Sequence, residues 1–244
     1  MRSIDINCDL GELCGNDALM IPWISSANIS CGAHVGTAED ISATIDLCKT
    51  HGVAIGAHPS WPDKIHFGRK EINATAAETY QLVRDQLAYF ATLLNGASLH
   101  HVKPHGAMYN QSAKHPDIAA AIAQAVYDTD TNLILYGLSG SCSAAAAKSM
   151  RLKFASEAFA DRRYEEDGSL TPRSYTDALI ETDADAITQV MMMIQSKKVI
   201  ARNGQSVSVS ADTICIHGDG AHAVSFAQNI YQSLKANQID VKAL

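Results

Sequence analysis

No stretch of this sequence holds the roughly 18 consecutive apolar residues that a membrane-spanning helix needs. The longest oily patch, Val190-Met-Met-Met-Ile194, is far shorter. The opening residues, MRSIDINCDLGE, turn acidic at once and lack the apolar core of a secretory signal. Cysteines never stand at C-x-x-C spacing: the six, at positions 8, 14, 31, 48, 142 and 215, fall singly, mostly in apolar segments. Reduced core thiols in a cytoplasmic protein are the expectation.

Positive charge is also sparse. Nineteen Lys and Arg are scattered against 26 Asp and Glu, for a net charge of −7 with His neutral. Without a basic stripe, nucleic acid and membrane surfaces are poor partners. Neither G-x-x-x-x-G-K-[ST] nor G-x-G-x-x-G occurs, so neither standard nucleotide loop is present, and Gly137-Leu-Ser-Gly140-Ser is too short to replace one. The G-x-S-x-G elbow of serine hydrolases is missing as well. No linker rich in Gly, Ser or Pro divides the chain, so residues 1–244 read as one domain. At 47% hydrophobic and 18% charged residues, that domain can bury a sizeable core.

What is present is a recurring pattern. Short β-rich apolar runs stand at Ile4–Leu10, Ala27–Cys31, Val53–Ala57, His101–Lys103, Leu133–Tyr136, Leu152–Ala158 and Thr213–His217. Amphipathic segments separate them. Val83, Leu87, Phe90 and Leu94 repeat at helical spacing, behind a capping box at Thr75-Ala-Ala-Glu78 and ahead of Gly96. Similar stripes are Ile41, Ile45, Cys48; Ile187, Val190 or Met191, Ile194; and Val224, Ala227, Tyr231, Leu234. Met191–Met193 reads as core or as a contact in a homo-oligomer. Residues 161–180 are polar and aromatic and read as a structured loop, and Ser206–Val209 as a short extra strand. Seven strand–helix alternations predict an α/β fold on a parallel sheet, closed into a barrel or doubly wound.

Ionisable groups gather at the C-terminal ends of these strands, the rim where parallel α/β folds place active sites. Asn7 and Asp9 share one strand face, with Glu12 beyond the turn. A carboxylate buried there needs a partner; alternatively, Asp9 caps the turn at Gly11. Cys31-Gly-Ala-His34 has the spacing of half a zinc site, but no second half exists, which leaves His34 as a polar or metal contact. His58 ends strand three, ahead of a loop carrying Asp63, His66 and Arg69. Lys103 and His105 flank a proline, so both can reach one pocket, with Lys103 gripping an anionic oxygen and His105 moving protons. The plain alternative makes Lys103 a counter-ion to Asp9 or Glu157. Asp161 and Arg162 follow strand six. His217-Gly-Asp219-Gly either caps a helix or presents N–H groups to an anion.

The segments IDINCDLGE, SANISCGAHVG, GAHPSWPD with HFGR, HVKPHGAMYN, FADRRYEEDGSLTPRS and ICIHGDGAHA together resemble the LamB/YcsF family, from residue 4 to 223. Ala33, Val35, Thr37, Asp177, Gly220 and Ala221 depart from the family's usual pattern; the ionisable positions do not. The resemblance implies an irregular seven-stranded (β/α) barrel of the glycoside hydrolase/deacetylase type. It also implies the A component of an ATP-dependent 5-oxoprolinase, working with partner subunits B and C. ATP and Mg2+ would then serve at the level of the complex. On that footing Asp9, His58, Lys103 and His105 are the catalytic candidates. Asn7, Glu12, His34, Arg69, Glu157, Asp161, Arg162, His217 and Asp219 are the substrate-binding candidates. Two alternatives remain: a stand-alone metal-dependent amide hydrolase using Asp9, His34 and His58 as ligands, and a non-catalytic scaffold.

Overall fold

A computed structural model describes residues 2–217 and 223–244. Strand β1 (Arg2–Leu10) leads into a one-turn helix α1 (Asp17–Met20) and a 3-10 turn at Ile21–Trp23. Strand and helix then alternate through β2 (Ser26–Ser30), α2 (Ala38–His51), β3 (Ala54–His58), α3 (Ala76–Leu93) and β4 (Leu99–Val102). Two helices, α4 (Gly106–Lys114) and α5 (Pro116–Thr129), lead to β5 (Ile134–Leu138), α6 (Cys142–Met150), β6 (Lys153–Phe159) and α7 (Asp183–Ser196). A hairpin of β7 (Lys198–Ile200) and β8 (Ser206–Ser208) precedes β9 (Thr213–Ile216), α8 (Ala223–Ala236) and β10 (Ile239–Val241).

Seven strands pair in parallel in the order β1-β2-β3-β4-β5-β6-β9, and β9 returns to β1, so the sheet closes. The choice between barrel and doubly wound sheet falls to the barrel. β1 is long enough to serve two neighbours on one edge. Its residues Arg2–Ile4 pair with β10, and Asp5–Cys8 pair with β9.

Local chemistry explains the helix boundaries. Thr37 and Thr75 each cap a helix, in reciprocal capping boxes with Asp40 and Glu78. Thr37, one of the departures from the family pattern, therefore starts α2 with a hydroxyl cap. Val83, Leu87 and Phe90 of α3 and Ile41, Ile45 and Cys48 of α2 are all buried, as their spacing predicts. The alanine-rich helices α5 and α6 bury Ala119, Ala123, Ala125 and Ala147, which contrast too weakly with their neighbours to mark a stripe. Strand ends fall within two residues of the sequence expectation. Residues 161–180 form an irregular loop with isolated bridges Arg162–Leu179 and Tyr164–Leu170. The extra strand at Ser206–Ser208 finds a partner in β7 that the sequence did not announce.

The barrel interior is polar. Asp5, fully buried, accepts hydrogen bonds from four hydroxyls: Ser25 (2.6 Å), Ser26 (2.7 Å), Tyr136 (2.9 Å) and Thr213 (2.6 Å). Above it, Asn7 donates to Thr213 (2.7 Å), and Asn28 donates to Asn7 (2.7 Å) and to Asp9 (2.8 Å). His101 donates to the Asn28 amide oxygen (2.8 Å) and stacks on Tyr136. Its ring fills the space a side chain at Gly56 would take: a Cβ there would lie 2.1 Å from the His101 ring. The wheel of partners satisfies these buried polar groups, each of which otherwise costs several kcal/mol.

Candidate active site

The polar column ends at the C-terminal mouth of the barrel in a cavity of about 840 Å³. β1 delivers Asp9 and, past a turn, Glu12; β3 delivers His58; β4 delivers Lys103 and, past Pro104, His105. Arg69, Arg162 and His217 join them in the lining, as do Lys114 and Arg173.

The loops carrying these groups are pinned from behind. Gln86 of α3 bonds both the amide and the carbonyl of Ser60, and Gln111 of α4 accepts from the Trp61 indole (2.7 Å). The HFGR segment lies directly on the start of α4. Gly106 has φ +54° and a Cβ there would meet the Gly68 carbonyl oxygen at 2.6 Å, while the Ala107 amide donates to that oxygen at 3.0 Å. Gln189 of α7 holds the carbonyls of Phe159 and Arg162, fixing the turn after β6.

Lys103 is buried, and its ammonium lies 2.9 Å from Asp9 Oδ1, 2.8 Å from Glu157 Oε1, 3.1 Å from Asn7 Oδ1 and 3.1 Å from Cys215 Sγ. Three N–H bonds face four acceptors, so the geometry is that of the plain alternative: a counter-ion beneath Asp9 and Glu157. Burial pushes the ammonium pKa down, but Asp9, Cys215 and Glu157 outweigh it and hold it well above its usual value. Burial likewise raises the Asp9 carboxyl, and His58, Lys103 and His217 more than reverse that, leaving Asp9 ionised.

Around Glu12 the imidazoles crowd together. Glu12 Oε1 stands 3.1 Å from His34 Nε2, 3.1 Å from His105 Nδ1 and 3.7 Å from His58 Nε2. Burial raises the Glu12 carboxyl, but the contacts with His105 and His34 bring it to about 2. Burial holds His34 at about 4, so its ring is neutral and donates to Glu12 from Nε2. Burial lowers His58, and Asp9 and Glu12 outweigh it, raising its pKa above the ordinary value. The His34 ring stacks on His105 with centroids 4.0 Å apart. Asp9, Glu12, His58 and His105 bring ligand-type atoms within 4.8 Å of one another; so do Asp9, Cys215 and His217.

On the opposite wall, His217 Nδ1 lies 2.6 Å from Asp161 Oδ2, and Arg173 Nη2 lies 3.1 Å from His217 Nε2. An arginine only donates, so His217 turns a bare Nε2 toward Arg173 and gives its Nδ1 hydrogen to Asp161. Burial raises Asp161, and His217 with Arg162 and Arg173 brings it below its usual value. Arg162 is itself buried and donates to the Thr171 carbonyl (2.6 Å).

Among the sequence candidates, Asp9, Glu12, His58, Arg69, Lys103, His105, Arg162 and His217 line the cavity. Asn7, His34, Glu157 and Asp161 do not: Asn7 and Glu157 lie below it in the barrel, and His34 and Asp161 stand behind Glu12 and His217. Asp219 falls outside the described residues. Asn7 and Glu157 instead hold the Lys103 ammonium from below. Arg173 and Asn28 were missed. Arg173 sits inside a quoted motif but has no strand-end position to mark it. Asn28 matters because parallel pairing sets it beside Asp9, a register no single strand reveals.

A model of the LamB/YcsF family matches residues 4–244. The chain belongs to the LamB/YcsF family. A LamB/YcsF relative from Tolumonas auensis, named as the A component of 5-oxoprolinase, is 47% identical, covering 100% of both chains. The crystal structure of a lactam utilization protein from Thermus thermophilus superposes with TM-score 0.94 at 37% identity, over 99% of this chain and 100% of that one. A family 4 carbohydrate esterase from Streptomyces lividans, 9% identical, matches with TM-score 0.53 over 98% of this chain and 91% of its own, a likeness of barrel fold alone.

Proposed function

We propose that this LamB/YcsF chain is the A component of an ATP-dependent 5-oxoprolinase and that its barrel mouth carries out the hydrolytic half of the reaction. The observation that carries the reading is the full-length likeness to proteins named as that component. In the net reaction, 5-oxoproline, ATP and two waters give glutamate, ADP and phosphate: one water opens the phosphorylated ring to an acyl phosphate, and the second releases the phosphate. A five-membered lactam is a poor electrophile, and phosphorylation of its oxygen makes the ring carbon attackable. This sequence has neither standard phosphate-binding loop, so that activation is assigned to partner subunits B and C, with Mg2+ accompanying their ATP.

The cavity suits the remaining step. Arg69, Lys114, Arg162 and Arg173 in its wall favour a substrate carrying a carboxylate and a phosphate. The floor of Asp9, Glu12, His58 and His105 takes the attacking water. His217, oriented by Asp161, takes a proton from the attacking water at its bare Nε2 and passes it to the ring nitrogen as the C–N bond breaks and the nitrogen becomes an amine. Lys103 acts one layer down, keeping Asp9 charged and in place.

The test is glutamate release from 5-oxoproline and ATP by the chain alone and mixed with its B and C partners. Activity only in the mixture, lost with His217→Gln, supports the reading. A mixture equally active without this chain overturns it, and a mixture that needs the chain but keeps full activity with His217→Gln removes the catalytic role in favour of a scaffold.

A further inference from the structure

The geometry points to a divalent transition-metal site in the cavity floor, with Asp9, Glu12, His58 and His105 as its ligands. It goes beyond the proposed reaction, which does not require it, and its test does not depend on that activity.

The starting observation is where the ring hydrogens are. His58 Nδ1 lies 2.6 Å from the Lys103 carbonyl oxygen, and His105 Nε2 lies 2.8 Å from the Phe67 carbonyl oxygen. A carbonyl only accepts, so each of those nitrogens carries the hydrogen. The remaining nitrogens, His58 Nε2 and His105 Nδ1, then point their lone pairs at each other across 2.9 Å. Two carboxylate oxygens close the group, Glu12 Oε1 at 3.1 Å from His105 Nδ1 and Asp9 Oδ2 at 3.3 Å from His58 Nε2. Four acceptors in a buried floor repel one another unless a cation lies between them.

The spacing suits a metal. Donors held about 2.0–2.2 Å from a common ion stand about 3.0–3.5 Å from one another. Four of the six separations are 2.9, 3.1, 3.3 and 3.7 Å, and all six lie within 4.8 Å, so a small inward movement of Asp9 brings every donor onto one ion. A main-chain carbonyl behind each imidazole supplies the outer partner that orients a metal ligand, and His34 fixes Glu12 by donating to the same Oε1. Asp9 is steadied in the same way by Asn28 and Lys103 on its other oxygen. Two imidazoles with two carboxylates select a first-row transition ion over Mg2+ or Ca2+, which prefer oxygen alone. The Cys215 sulfur is taken up by the Lys103 ammonium at 3.1 Å, and the second group of ligand-type atoms, Asp9 with Cys215 and His217, shares only Asp9 with this one.

The other cation that fits is a single proton shared by the two imidazoles, and the experiment separates the two. Full-length chain is stripped with chelator, dialysed free of it, and titrated with Co2+ at neutral pH. The expected result is one Co2+ per chain, a visible d–d absorption band and a rise in melting temperature. His58→Gln and His105→Gln, checked for folding by circular dichroism, should each weaken binding by about 100-fold or more, beyond the usual cost of outer-partner changes. His66→Gln, half exposed beside Asp63, should bind as the parent does. A parent chain that is folded but shows no Co2+ band and no stabilisation by Co2+ or Zn2+ overturns the site in favour of the shared proton. Should the variants misfold, the parent titration alone still decides between metal and proton.

Discussion

The ammonium of Lys103 lies between two carboxylates that, among the described residues, have no other cation so close, 2.9 Å from Asp9 and 2.8 Å from Glu157. This makes Lys103 the keystone of the cavity floor.

Removing it leaves buried negative charges uncompensated. Lys103→Met should destabilise the fold by about 3–5 kcal/mol, read from urea unfolding, and abolish activity of the complex. Adding Glu157→Gln should recover part of the stability, because one orphaned charge is gone, without recovering activity. A double variant no more stable than the single one argues against the pair.

His101 gives the interior a pH signature. Burial, with His100 and Lys103 adding repulsion, holds its pKa well below the ordinary value. In the unfolded chain it titrates near about 6.5. Below that pH the unfolded state binds a proton the native state refuses, so stability from this group is present above about 6.5 and falls as the medium becomes more acidic. Unfolding free energy measured between about pH 7 and 5 should decline with acid, and His101→Gln should flatten the decline. An unchanged slope in the variant places the proton elsewhere.

Gly56 is required by that same ring. Gly56→Ala would set a Cβ 2.1 Å from His101, far inside contact distance. We expect a loss of about 2 kcal/mol or more. Combining it with His101→Ala should relieve most of the clash, a coupling that a double-mutant cycle reads directly.

Asp161 orients His217 from behind the cavity wall. Asp161→Asn keeps the shape but offers a donor where the imidazole needs an acceptor, so kcat should fall by about 10²-fold or more, with KM little changed. Arg173→Met, by contrast, should raise KM for an anionic substrate by about tenfold and weaken the dependence on salt. Equal effects of both variants on kcat and KM would remove the division of labour.

Much of this was legible beforehand. Alternating apolar runs and helical stripes gave the parallel α/β class because strand and helix periods, about 2 and 3.6, are local properties. Asp9, His58, His105 and His217 were visible as rim residues because each ends a strand or begins the loop after it. His34 and Asp161 were found as ionisable groups but not as the residues standing behind Glu12 and His217.

By itself, then, the sequence determined the alternation of elements, the end of the strands where chemistry gathers, and the side chains available there, since all three follow from order along the chain. The tertiary structure alone decided that the sheet closes, that Asn28 stands beside Asp9, and that Lys103 turns inward while His58 and His105 meet at 2.9 Å. Those outcomes depend on register between strands distant in sequence and on the contact of Gly106 with Gly68, where backbone sterics rather than residue type fix where each atom lies.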